Sequence, residues 1–157
     1  RNYSPINIDP EIEKLSIFCK KKGRKLFISN DLKTAIKYGL DGLYIPSFNK
    51  LNKFKNINFK KDFKIIGSAH NEREILTKID QGCTDVFVSP IFQTKKKNKF
   101  LNINLFNKIN LSNHLNIIAL GGINANNIKK INLTKSKGFG SIEWIKKNRP
   151  KNLGRFI

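Results

Sequence analysis

Six short apolar runs recur along the chain: Lys25 to Ser29, Gly42 to Ile45, Phe63 to Gly67, Asp85 to Ser89, Asn116 to Leu120 and Phe139 to Ile142. They are rich in β-branched and aromatic residues and too short for helices, so they predict strands. Parallel neighbours need a crossover of a dozen or more residues, and stretches of helical spacing stand between most of these runs. The alternation predicts an α/β fold, a parallel sheet with its crossovers outside it. The first helical stretch, Pro10 to Lys22, carries an apolar stripe of Ile12, Leu15 and Cys19, joined by Ile17 and Phe18 and ended by Gly23. Further helices are predicted at Asp31 to Tyr38, Asn71 to Gln81, Asn104 to Ser112 and Asn124 to Leu133. The lysine- and asparagine-rich connection from Phe48 to Lys60 has no clear period.

In sheets of this kind ligands bind at the C-terminal ends of the strands. The run Val86-Phe87-Val88, which reads as a strand covered on both faces, stops at Ser89-Pro90 and leads into Thr94-Lys95-Lys96-Lys97. Leu120-Gly121-Gly122-Ile123-Asn124 closes another strand. Its paired glycines let the backbone approach a ligand, and the predicted helix start offers N–H groups to an anion. These two stretches together predict a phosphate site. Asn71 and Glu74 have capping-box spacing, which puts Ser68-Ala69-His70 in a short loop on the same rim. His70 is either a ligand-facing or a structural histidine, and His114 reads as a surface residue.

At 157 residues with 39% hydrophobic content the chain fits one domain with its own core. A formal charge of +20 points towards nucleic acid or an anionic membrane. However, 26 of the 31 basic residues are lysine, and they run the whole length beside 21 Asn and 23 Ile. That is the pattern of an AT-rich coding bias, whereas a binding patch would be local and richer in arginine. The aromatic residues lie mostly in strands, not on stacking platforms, so a basic nucleic-acid-binding module is the alternative of another class. Cys19 and Cys83 lack metal-like spacing and read as reduced core residues. No apolar run approaches the roughly 20 residues needed to cross a bilayer, and no signal-peptide pattern opens the chain, so a cytoplasmic protein is expected. The sequence opens on Arg1, not methionine, which leaves residues upstream open.

"GSAHNEREI", "GCTDVFVSPIFQTKKK" and "IIALGGINANN", in this order and spacing, resemble the thiamine phosphate synthase and thiazole tautomerase family. The likeness runs from Arg1 through "LFISNDLKTAIKYGLDGLYIP" to "GFGSIEWI". The family fold is a (β/α)8 TIM-type barrel. The resemblance therefore implies that the six strands are numbers three to eight and that the first two are lacking. Residues 1–146 would form a partial barrel and 147–157 a short basic tail. It implies a transferase of thiamine biosynthesis, which joins a hydroxymethylpyrimidine diphosphate to a thiazole phosphate and releases diphosphate. By motif match Lys97, Ser68 and Thr94 are the catalytic candidates, with Thr94 and Lys97 on the diphosphate. Arg1, Asn30 and His70 join them in binding substrate, and Gly121 and Gly122 cradle the thiazole phosphate. Lys95 and Lys96 have no counterpart and read as solvated. Phosphorylated small molecules are the implied partners, with an oligomer possible.

Several positions depart from the family pattern. The family holds Mg²⁺ with two aspartates, and the matching positions are Asp31 or Asn30, according to register, and Asn49. An amide oxygen can ligate Mg²⁺ but supplies no charge. Pro46-Ser47 replaces the family's Gly-Gln, and Glu143 replaces a phosphate-binding serine. Pro46-Ser47 resembles the metal-free tautomerase branch, but Pro90 stands where that branch has a histidine. The alternative within the fold is a tautomerase-like or catalytically degenerate barrel that binds a thiazole phosphate.

Overall fold

The six apolar runs pair edge to edge in chain order, every pair parallel, in one sheet. The structure, a computed structural model, describes residues 9–51, 54, 57–95, 98–111, 114–142 and 144. Its elements are α1 (Asp9–Lys21), β1 (Phe27–Ser29), α2 (Leu32–Lys37), β2 (Gly42–Ile45), β3 (Lys64–Ala69), α3 (Glu72–Asp80), β4 (Asp85–Val88), α4 (Asn102–Leu111), β5 (Asn116–Leu120), a 3-10 segment Ile128–Leu133, and β6 (Gly138–Gly140). The Lys146 to Ile157 end lies outside the described residues, as does Arg1.

Because side chains alternate along a strand, the register divides the sheet into two faces. On one face Leu43, Ile45, Ile65, Val86, Val88, Ile117 and Ala119 are buried. They share a cluster with Ile75 of α3, Phe106 and Ile109 of α4, and Ile131. On the other face Tyr44, Ile66, Phe87, Ile118 and Leu120 are only half-buried. Val86-Phe87-Val88 is thus sealed on one face alone, contrary to the two-sided burial its apolar run predicts. A short apolar run does not report its own period, and Phe87 belongs to the open face. Gly140 lies over it: a Cβ there would meet Leu120 at 3.1 Å and Phe87 at 3.3 Å.

Three local expectations change. Ser68 and Ala69 are the end of β3, not loop residues, because they continue the ladder opposite Phe87 and Val88. In α1, Ser16 occupies the buried stripe with Ile12, and Ile17 is exposed. The α-helix expected from Asn124 is replaced by the 3-10 segment from Ile128, because asparagine side chains take the backbone groups that would start it. Asn127 Oδ1 accepts from Asn124 N (2.8 Å), Asn124 Oδ1 accepts from Asn126 N (2.9 Å), and Asn127 Nδ2 donates to Gly122 O (2.8 Å).

Both cysteines are free, Cys83 buried and Cys19 half-buried. Burial pushes the Cys83 thiol from an ordinary 9.0 up to about 12, and the Lys78 ammonium beside it only partly offsets this. At pH 8 the native thiol then holds on the order of a thousandfold less thiolate than an ordinary one. Iodoacetamide is expected to label Cys19 and spare Cys83 in the native protein, and to label both in guanidinium. Peptide mapping that found Cys83 modified at the rate of Cys19 would show the site to be open.

Candidate functional site

The C-terminal ends of the strands form one rim, and the sequence candidates fall along it in strand order. After β4, the loop from Ser89 doubles over the glycine turn that follows β5. Ile91 N donates to Leu120 O (2.9 Å) and Phe92 N to Gly121 O (3.2 Å). Both glycines are in the left-handed region, with φ +91 at Gly121 and +73 at Gly122. A Cβ at Gly121 would stand 2.8 Å from Pro90, and one at Gly122 would fall within 3.0 Å of the Phe92 and Gln93 carbonyl oxygens. The close approach that these glycines allow is thus used first by the chain itself, and it carries Thr94 to the rim beside them. Among the described residues no backbone hydrogen bond takes the Gly121 or Gly122 N–H. Lys96 and Lys97 lie outside the described residues, as does Glu143; Lys95 is exposed.

The β3 end supplies Ser68 and His70. Ser68 is buried, and its Oγ accepts a hydrogen bond from the Tyr44 hydroxyl (2.9 Å). An accepting hydroxyl keeps its own proton to donate. His70 is held from two sides. Its backbone N–H donates to Glu74 Oε2 (2.8 Å), while Asn71 Oδ1 accepts from Glu74 N (2.9 Å), which closes the cap of α3. Its Nδ1 stands 2.6 Å from Ser89 O. A carbonyl only accepts, so Nδ1 carries the proton in that contact. Beside it opens a cleft of about 470 Å³ lined by His70, Ser89, Pro90, Lys99, Phe100 and Leu101.

At the β1 and β2 ends Asn30 and Asn49 meet directly: Asn49 Nδ2 donates to Asn30 Oδ1 (2.8 Å). Asn30 sits at φ 59, and its N–H is tied to Tyr44 O (3.0 Å), so the side chain is aimed from a fixed backbone. Asn49 Oδ1 accepts from Leu51 N (2.9 Å). Asp31 caps α2 instead: Oδ1 accepts from Thr34 N (3.0 Å) and Oδ2 from Thr34 Oγ1 (2.6 Å). The two rim positions that face each other are therefore both amides, with both amide oxygens already accepting. Among the described residues no three His, Cys, Asp or Glu side chains gather into a metal-binding group. A second cleft of about 560 Å³ runs beside this pair, bounded by Phe48 and Phe54.

Tyr44, Lys78 and Gln81 act at this rim without having been singled out in the sequence. Tyr44 is two strand positions from the residue opposite Ser68, a parity readable only once Tyr44 is paired with Ile66. Lys78 lies three residues after the buried Ile75, on the stripe where α3 should be apolar.

The chain matches the family described as thiamine monophosphate synthase over residues 2–145. It is 33% identical over 130 residues to a thiamine-phosphate synthase of Prochlorococcus marinus, covering 77% of this chain and 36% of the relative. A thiamine-phosphate synthase of Geobacillus thermodenitrificans is 27% identical over 139 residues, 83% of this chain and 61% of the relative. The chain thus spans little more than a third of the length of the Prochlorococcus relatives it matches. In structure it is similar to a thiamine phosphate pyrophosphorylase from Pyrococcus furiosus, with TM-score 0.73 and 20% identity over 90% of this chain and 69% of that one. That likeness establishes the TIM-barrel-type fold. Among the described residues no helix is long and apolar enough to cross a membrane.

Gly122→Ala is expected to cost about 3 kcal/mol or more, since it strains φ and drives Cβ into two backbone carbonyls. Gly138→Ala, with nothing within 4 Å of the added Cβ, is expected to stay within about 0.5 kcal/mol. Urea unfolding of the two variants checks the difference, and equal midpoints would mean that the two loops are not stitched as described.

Proposed function

Because this chain belongs to the thiamine monophosphate synthase family, we propose that its rim binds a hydroxymethylpyrimidine diphosphate and a thiazole phosphate and joins them. The observation that carries this reading is the stitching of the β4 loop to the glycine turn, which puts Thr94, Gly121 and Gly122 on one rim with Ser68. In the reaction the bond from the pyrimidine methylene to the bridging oxygen breaks, and diphosphate leaves with the electron pair. The thiazole nitrogen supplies the pair of the new C–N bond and becomes a thiazolium. Negative charge builds on the leaving diphosphate, so the groups that matter are cations and donors aimed at its oxygens. Lys97 and Arg1 supply charge, Thr94 and Ser68 supply hydroxyl protons, and the Tyr44 contact leaves the Ser68 proton pointing away from its acceptor lone pair. Gly121 and Gly122 offer backbone N–H groups to the thiazole phosphate. His70 lines the cleft beside the same loop.

The Mg²⁺ that the family implies does not fit the residues at its position. Asn30 and Asn49 bring no charge, each of their oxygens already accepts one hydrogen bond, and the Asp31 carboxylate is turned into the α2 cap. In this reading the remaining amide N–H groups of Asn30 and Asn49 donate to the diphosphate directly. The amide pair also favours a second reading, a barrel that binds a thiazole phosphate without making the bond, and an assay for thiamine phosphate separates the two.

Inorganic diphosphate titrated calorimetrically into the full chain is expected to bind, and to bind at least about tenfold more weakly to Lys97→Ala, a charge-assisted contact being worth about 1.5–3 kcal/mol. Lys95→Ala should lose less, and its loss should fade with salt. Unchanged affinity in Lys97→Ala would sink the assignment. Mg²⁺ alone should show no saturable binding below the millimolar range, and the double change Asn30→Asp with Asn49→Asp should create it. Tight Mg²⁺ binding by the unaltered protein would overturn the amide reading.

A further inference from the structure

Lys78 is fully buried on α3, and its ammonium meets three acceptors: Pro46 O (2.8 Å), Asn49 O (2.8 Å) and Gln81 Oε1 (2.7 Å). Gln81, equally buried at the C-cap of α3, donates its amide to Asn49 O (2.9 Å) and Leu51 O (3.1 Å). An ammonium has three protons, and all three are used; a carboxamide has two, and both are used. These contacts reach the loop that follows β2 through its carbonyls, from beneath, and leave the side chains of that loop free to face the rim.

We propose that Lys78 and Gln81 are positioning residues for the substrate rim, holding the Pro46 to Leu51 loop so that Asn49 meets Asn30 where a diphosphate would lie. Asn49 is where the contacts converge. Its carbonyl is held by both α3 side chains, its N–H donates to Pro46 O (3.1 Å), its Oδ1 accepts from Leu51 N, and its Nδ2 donates to Asn30. Moving its backbone would therefore move the amide pair. A buried lysine is a costly way to fasten a surface loop, since one acceptor lost leaves a buried ammonium proton without a partner. Burial indeed pushes the Lys78 pKa below the usual lysine range, with Cys83 and Glu74 acting in the opposite sense. Gly67 makes the arrangement possible: a Cβ there would stand 2.8 Å from Lys78 Cδ, so the absence of a side chain on β3 leaves a channel for the lysine stem.

The proposal rests on the rim as the substrate site, and two readouts separate the one from the other. In Lys78→Met, which keeps the stem and removes the donors, the Asn49 and Leu51 amides are expected to exchange hydrogen about tenfold faster or more, with the β3, β4 and β5 amides unchanged. The same variant should bind hydroxymethylpyrimidine diphosphate about tenfold more weakly by calorimetry. If Lys78→Met does not fold, Gln81→Met carries the test with a smaller change in the same direction. Loop exchange unchanged in the folded variant overturns the proposal, and so does a loosened loop with undiminished affinity. If the unaltered chain fails to bind the diphosphate, the functional reading fails, and the exchange of Asn49 and Leu51 alone decides whether α3 holds the loop.

Discussion

A fully buried ammonium has to be met by acceptors, and in this chain meeting it ties the helix layer to the rim. Lys78 is the one charged side chain in the buried set of the described residues, and each of its protons finds an oxygen. An unmatched charge in such a place would cost several kcal/mol, so the loop after β2 and the C-terminal turn of α3 are not independent. The dependence runs further in both directions. Below, Gly67 must stay small for the lysine stem to cross β3, and Cys83 Sγ borders the same space, 3.0 Å from where a Cβ at Gly67 would stand. Above, Asn49 transmits the position of the loop to Asn30.

The two faces of the sheet differ in how they are sealed. The face toward α3 and α4 is apolar at nearly every position and sealed, and it supplies most of the burial energy. The other face stays half-open and ends in polar groups, Tyr44 with Ser68 on β2 and β3. A hydroxyl pair of this kind would be an expense within the sealed core. At the end of a half-open face it costs little, because neither hydroxyl loses a partner.

Much of this architecture was readable from the chain because it rests on local rules. β2 and β5 have the limits that their apolar runs predict, and α3 is flanked by Asn71 and Gln81 as its capping spacing requires. What was not readable depended on competition or on tertiary partners. The asparagines from Asn124 to Asn127 have acceptable spacing for a helix start, yet their side chains bond the local backbone and only a 3-10 turn follows. Lys78 was hidden because lysine is ordinarily exposed, and only the carbonyls of a distant loop make its burial tolerable. The register of "FISND" left the family match open between Asn30 and Asp31; in the structure Asn30 meets Asn49, while Thr34 draws the Asp31 carboxylate into the cap.

The excess of lysine bears on the site in a way that its position along the chain does not reveal. A chain with a formal +20 attracts any polyanion over a Debye length of about 8 Å, whether nucleic acid or diphosphate. Such a field concentrates ligands without choosing among them. On the proposed function, choice would come from donors fixed at short range: the Gly121 and Gly122 amides, the Ser68 hydroxyl beside Tyr44, and the amides of Asn30 and Asn49. Added salt weakens the field but barely touches hydrogen bonds at contact distance. On the proposed function, the part of anion binding that persists at high ionic strength is the part that the rim geometry would create, and it would depend on the backbone positions that Lys78 and the paired glycines hold in place.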